Sequence, residues 1–178
     1  MKYVLLLRGI NVGGKNKVSM ADLKNMILSL GYENVITYIN SGNILFDSTD
    51  NIDTVNVKIS QILNSYPFKI NKVILTKQEY LEELENLPVW WKDELYRKDV
   101  LFYSEDINYS IIKERINNMP LNDENVHFGK RAIFWGKFNE KNYLKTVYHK
   151  YLIKEPFYKY ITIRNGRTFM KIIELLDK

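Results

Sequence analysis

The spacing of apolar residues changes several times along the chain, and each change marks a structural element. Tyr3-Val4-Leu5-Leu6-Leu7 is an unbroken apolar run of strand length. From Ser19 the spacing becomes helical, with Met20, Leu23, Met26, Ile27 and Leu30 on one face, Ser19 as the N-cap and Gly31 as the stop. Residues 35–39 and 44–46 flank Asn40-Ser41-Gly42-Asn43, a polar turn whose glycine admits positive φ, and this predicts an antiparallel hairpin. A helix over 54–66, a strand over 70–75 and a helix over 77–87, ended by Pro88, complete the first half.

The second half repeats the order. Strands are expected at 100–103, 126–128, 132–138 and 160–164, and helices at 110–117, 142–152 and 167–176. Glu33-Asn34-Val35 and Glu124-Asn125-Val126 each introduce a hairpin, 91 residues apart. The pattern predicts an α+β protein of two ferredoxin-like lobes, each βαββαβ plus a helix, arising from an internal duplication. The lobes are expected at residues 1–88 and 89–178, with Trp90-Trp91 buried at the boundary. Residues 3–7 and 100–103 are apolar on both faces, so protein is expected to cover the open sheet face. Such cover removes the aromatic platform on which RNA-recognition modules of this strand order stack bases.

Composition narrows the function. With 46% hydrophobic and 26% charged residues the chain builds a core. It has no cysteine and two histidines, so disulfides and thiolate sites are excluded and neither a metal nor a cofactor is expected. Arg8 and Gly9 interrupt the N-terminal apolar run well short of a signal-peptide core or a membrane span, so the expected location is the cytoplasm and no membrane partner is expected. The formal charge of +5 lies wholly in residues 89–178. Within 125–171 eleven basic residues, Lys141 among them, face only Glu140 and Glu155. An anionic partner would suit that excess. The A/T-rich codons of Lys, Asn, Ile, Tyr and Phe supply a second explanation for it.

Leu7-Arg8-Gly9-Ile10-Asn11-Val12-Gly13-Gly14-Lys15-Asn16-Lys17-Val18, the segment 37–46 and Thr162-Ile163-Arg164-Asn165 with Thr168 and Lys171 together resemble domain-of-unknown-function family 1697. The resemblance implies a compact bacterial cytosolic protein and brings no activity, cofactor or catalytic residue with it. The family typically has tryptophan after the Arg-Asn pair, where this chain has Gly166.

Gly9 to Lys15 fits the first seven positions of a phosphate-binding P-loop, but Asn16 stands where a Mg²⁺-ligating hydroxyl is needed and Lys15 precedes the N-cap Ser19 by four residues. Nucleotide triphosphate hydrolysis is therefore not expected. A simpler anion site remains. Gly13 and Gly14 free backbone amides, Asn11 adds a carboxamide, and Arg8, Lys15 and Lys17 add charge. Arg164, Asn165, Arg167 and Lys171 repeat the theme at the start of the last helix. Arginine opposes the helix dipole there, so Arg164 and Arg167 either bind an acceptor or pair with Glu174 or Asp177. The two loops are expected to share one ligand, a phosphorylated metabolite or a nucleic-acid backbone, or else each stabilises its own lobe. An enzyme acting on a small phosphorylated or carboxylated substrate is the second reading, and an assembly module, including a homo-oligomer, the third. No catalytic residue is singled out: His127 and His149 read as surface histidines, Ser41 as a turn residue, and Glu82-Glu83 and Asp93-Glu94 as solvated charge.

Overall fold

The structure, a computed structural model, describes residues 1–104 and 106–178; the side chains of Lys141, Asn142 and Tyr143 lie outside the described residues. The chain is an α+β protein with two four-stranded antiparallel sheets and, among the described residues, six α-helices. It divides into two compact units, Met1–Leu81 with Lys171–Lys178, and Glu82–Met170.

The first unit contains β1 (Lys2–Arg8), α1 (Met20–Leu28), β2 (Glu33–Tyr38), β3 (Asn43–Asp47), α2 (Ile52–Leu63) and β4 (Asn71–Thr76), followed by α3 (Lys77–Glu85), whose last residues belong to the second unit. Its sheet runs β2-β3-β1-β4, so the most apolar strands are central. Ser19 caps α1 by accepting the Asp22 amide, and Asn51 caps α2 by accepting that of Thr54. Leu23, Ile27, Val55 and Ile59 pack with Tyr3, Leu5, Leu7, Ile44 and Phe46. Val4, Leu6 and Leu75, which alternate with that core set, are fully buried too, so both faces of the central strands are covered.

The second unit holds β5 (Arg97–Tyr103), α4 (Tyr109–Asn117), β6 (Glu124–Phe128), β7 (Ala132–Lys137), α5 (Val147–Lys150), β8 (Ile161–Asn165) and the start of α6 (Gly166–Leu176). Its sheet runs β6-β7-β5-β8, the same order as the first. Leu101, Tyr103, Ile133 and Trp135 pack with Ile112 and Ile116 of α4. The opposite face is covered by aromatics: Phe169 lies 6.3 Å from Phe102 and 5.9 Å from Phe134, and Trp91 lies 5.3 Å from Phe134.

The expected helix over 142–152 is a correction. The chain instead forms 3₁₀ turns at Glu140–Lys145 and Leu152–Lys154 around the four-residue α5. Side chains intervene here: Thr146 caps α5 by accepting the His149 amide, and the Glu124 carboxylate takes the amides of Val147 and Tyr148.

Candidate functional site

Beyond Arg8 the chain passes through five residues with positive φ: Gly9 (70°), Asn11 (53°), Gly13 (59°), Gly14 (74°) and Asn16 (50°). Two adjacent left-handed residues, Gly13 and Gly14, are what a tight hairpin turn requires, and the turn closes with Lys15 N donating to Val12 O at 3.1 Å and Asn11 N to Asn16 O at 3.0 Å. The Asn11 carboxamide is fully engaged. Its Nδ2 donates to Val18 O and Asn40 O, both at 2.9 Å, and its Oδ1 accepts the Val18 amide at 2.9 Å. Asn11 thus staples the loop to the β2–β3 turn, and its amide has no capacity left to donate to a ligand.

A second tie runs from Leu7 N to Gly42 O at 2.8 Å. At Gly42, with φ 81°, a Cβ would fall 2.6 Å from Leu7 Cβ, so the close approach needs glycine. In the same turn Ile39 has φ 49° although it is β-branched and half-exposed. Residues 8–18 and 39–43, distant in sequence, therefore form one hydrogen-bonded loop cluster where β1 ends and β3 begins. It displays Gly13, Gly14, Lys15 and Lys17, all exposed, with Arg8 half-buried.

The loop after β8 is built differently. Asn165 Oδ1 accepts the Thr168 amide at 2.8 Å and caps α6. Arg164 is 6% exposed and donates from Nη1 to Ile163 O at 2.8 Å. Only the Arg167 side chain stands exposed in the first turn of the helix. Lys171 pairs with Glu174 at 2.6 Å, which raises its pKa, and Asp177 meets Lys77 at 3.4 Å. The carboxylates foreseen as partners of Arg164 and Arg167 are thus held by lysines. Arg8, Asn11, Gly13, Gly14, Lys15 and Lys17 come together in the first unit. Arg164, Asn165 and Arg167 belong to the second unit, and Lys171 to the C-terminal segment of the first.

At Gly166 a Cβ would meet the Trp91 ring at 3.2 Å and Lys98 Cβ at 3.3 Å. Lys98 Nζ donates to Trp91 O at 2.5 Å and lies 5.8 Å from the ring centroid. The space a side chain at 166 would enter is thus occupied by residue 91.

Within the second unit lies a polar cluster that no sequence motif announces. Lys137 and Asp99 are fully buried and paired, Nζ to Oδ2 at 3.1 Å. Arg97 Nε approaches the same carboxylate at 2.8 Å. Lys137 Nζ lies 3.4 Å from the Tyr148 ring centroid, a cation–π contact. Glu124, also buried, accepts Trp135 Nε1 at 2.8 Å and Val147 N at 2.7 Å. Burial pushes the Lys137 pKa down against the pull of Asp99, and burial together with Lys137 and Arg97 lowers that of His149. Sealed from water, this ammonium ties β5 to β7 and to α5.

Glu83, expected to be solvated, is also buried. Its Oε1 accepts the amides of Lys130 and Arg131 at 2.8 and 2.7 Å, fixing the β6–β7 turn, while neighbouring Glu82 pairs with Lys130 at 3.0 Å. Desolvation raises the Glu83 pKa. Among the described residues no group of three or more His, Cys, Asp or Glu is placed to hold a metal ion. No helix among them is long and apolar enough to cross a membrane.

A solved structure of a conserved bacterial protein from Streptococcus pneumoniae is similar to this chain, at 49% identity over 98% of each chain with a TM-score of 0.93. No functionally curated protein matches the chain. The family model described as "Protein of unknown function (DUF1697)" matches residues 1–134, and the chain belongs to that family.

Proposed function

We propose that the chain binds nucleic acid through its phosphate backbone, and that the loop cluster of the first unit is the contact. One observation carries this reading: a loop held rigid by its own hydrogen bonds presents Lys15, Lys17 and the Gly13 and Gly14 amides to solvent on the outside of the fold. Rigidity lowers the entropy lost on binding. Exposure of all four groups suits an extended anion laid across the loop better than a small anion enclosed by it. We also propose that both units are ferredoxin-like and descend from one duplicated ancestor, supported by the shared strand order and by Glu-Asn-Val opening β2 and β6.

The experiment is fluorescence anisotropy with a labelled single-stranded oligonucleotide between about 50 and 200 mM salt. Each phosphate contact on a single strand contributes a slope of about −0.7 in log K against log salt. The Lys15→Ala/Lys17→Ala variant should therefore bind more weakly and lose about 1.4 from the slope. Binding insensitive to salt, or a double variant with the wild-type slope, refutes the proposal. Tight binding of a phosphorylated metabolite with none of the oligonucleotide would move the reading to the small-molecule class.

A further inference from the structure

We propose that Val12 and Ile39 form an aliphatic contact for the bases of a single-stranded nucleic acid, beside the phosphate contacts of Lys15 and Lys17; this rests on the nucleic-acid reading above. The argument starts from a conflict at Ile39. A β-branched residue is the least suited of all to positive φ, yet Ile39 sits at φ 49°. Its neighbours hold it there. Tyr38 O accepts from the buried Asn43 Nδ2 at 2.9 Å, and Asn40 O accepts from Asn11 Nδ2 at 2.9 Å. Glycine or asparagine would relieve the strain. The Ile39 side chain is 50% exposed, so the core gains little from keeping isoleucine at this position.

Val12 adds an independent observation. It is 65% exposed at the corner of the hairpin turn, where it pairs with Lys15. Val12 and Ile39 are each one residue from the Asn11–Asn40 hydrogen bond, on its two sides. The same loop cluster therefore presents two exposed aliphatic residues and two exposed lysines. That mixture matches the chemistry of a strand with free bases, which alternates apolar faces and phosphates. Duplex offers base faces only where a step is prised open. A base-free polyanion offers none.

The test uses the full chain with Val12→Ser/Ile39→Ser, plus Ile39→Gly to separate strain from contact. Three probes are compared: a single-stranded oligonucleotide, a duplex of equal length, and inorganic polyphosphate. Wild type is expected to prefer the single strand. The double serine variant should lose roughly 10-fold in affinity for the single strand through lost apolar burial, keep the wild-type salt slope, and bind polyphosphate as before. Ile39→Gly should melt no lower than wild type and still lose single-strand affinity. A wild type that binds polyphosphate as tightly as the single strand overturns the base contact while leaving the backbone reading intact. Equal loss of all three probes in the serine variant also overturns it, because the side chains then act through loop shape. Binding of none of the three probes by wild type sinks both readings. Binding to phosphatidylserine vesicles that the serine variant loses, with oligonucleotide affinity unchanged, assigns the aliphatic pair to a membrane surface and refutes the proposal.

Discussion

Replacing Asp99 by Val should destabilise the second unit by about 3–5 kcal/mol, the usual cost of breaking a buried ion pair from one side. The substitution leaves the Lys137 ammonium without its carboxylate, at 0% exposure and against the face of Tyr148. The lysine can escape by giving up its proton. For a lysine with an unfolded pKa near 10.5, giving up the proton at pH 7 costs about 3.5 × 1.36, or about 4.8 kcal/mol, close to the top of that range. Arg97 also loses this contact, but its side chain is half-exposed, so the share of that pair stays below about 1 kcal/mol. The double variant Asp99→Val/Lys137→Met removes both charges and should regain part of the loss, less the attraction between Lys137 and the buried Glu124 across the ladder. Urea denaturation followed by tryptophan fluorescence is well matched to the question, because Trp90, Trp91 and Trp135 all lie in the second unit.

The pH dependence has a definite sign. Burial holds the Lys137 pKa below its ordinary value, so the unfolded state binds more protons and stability rises with pH. The penalty is complete below the folded pKa and disappears as pH climbs to the unfolded value near 10.5. In Asp99→Val that alkaline window should widen, since the carboxylate no longer opposes desolvation. A single variant costing under about 1 kcal/mol, or a double variant no more stable than the single, refutes the claim that Asp99 is what makes the buried ammonium tolerable.

Asn11→Ala removes three hydrogen bonds that hold the loop cluster together and should cost about 1–3 kcal/mol; hydrogen exchange should quicken at Val18 and Lys15, and oligonucleotide affinity should fall without any change of charge. Gly129→Ala drives a Cβ into Glu83 Oε2, so the carboxylate must shift away from the amides of Lys130 and Arg131, at a cost of about 1–3 kcal/mol in urea denaturation.

Period and punctuation carried most of the architecture. The apolar runs at 3–7 and 100–103 marked the central strands, and both prove buried on both faces. Ser19 and the Asn40–Asn43 turn were legible because capping and turn geometry depend on a few adjacent residues. The site was only half legible. The glycines and asparagines of residues 9–16 announced an unusual loop, and the chemistry of Asn11 pointed to a ligand as readily as to a staple. The choice was made by Val18 and by Asn40, a residue 29 positions away whose carbonyl no local pattern brings near. The four-residue α5 escaped for the same reason: the amides at its start are taken by Glu124, two elements earlier.

Glu33 and Glu124 show why a repeated motif does not carry its environment with it. Both open a Glu-Asn-Val tripeptide and both start the strand that pairs with the third strand of their unit. Opposite Glu33 stands Asp47, another carboxylate. Like charges across a ladder repel, and here the strand bulges, Asn34 takes φ 51°, its Nδ2 donates to Asp47 Oδ2 at 2.8 Å, and Glu33 remains in solvent. Opposite Glu124 stands Lys137, and the register stays unbroken. With a cation across the ladder, the second carboxylate can be taken inside, where the Trp135 indole and the Val147 amide complete its hydrogen bonding. One cross-strand identity, aspartate or lysine, thus separates an exposed strand start from the anchor of a buried ionic cluster. That identity lies 14 or 13 residues beyond the glutamate, where it acquires meaning only once the strands have paired.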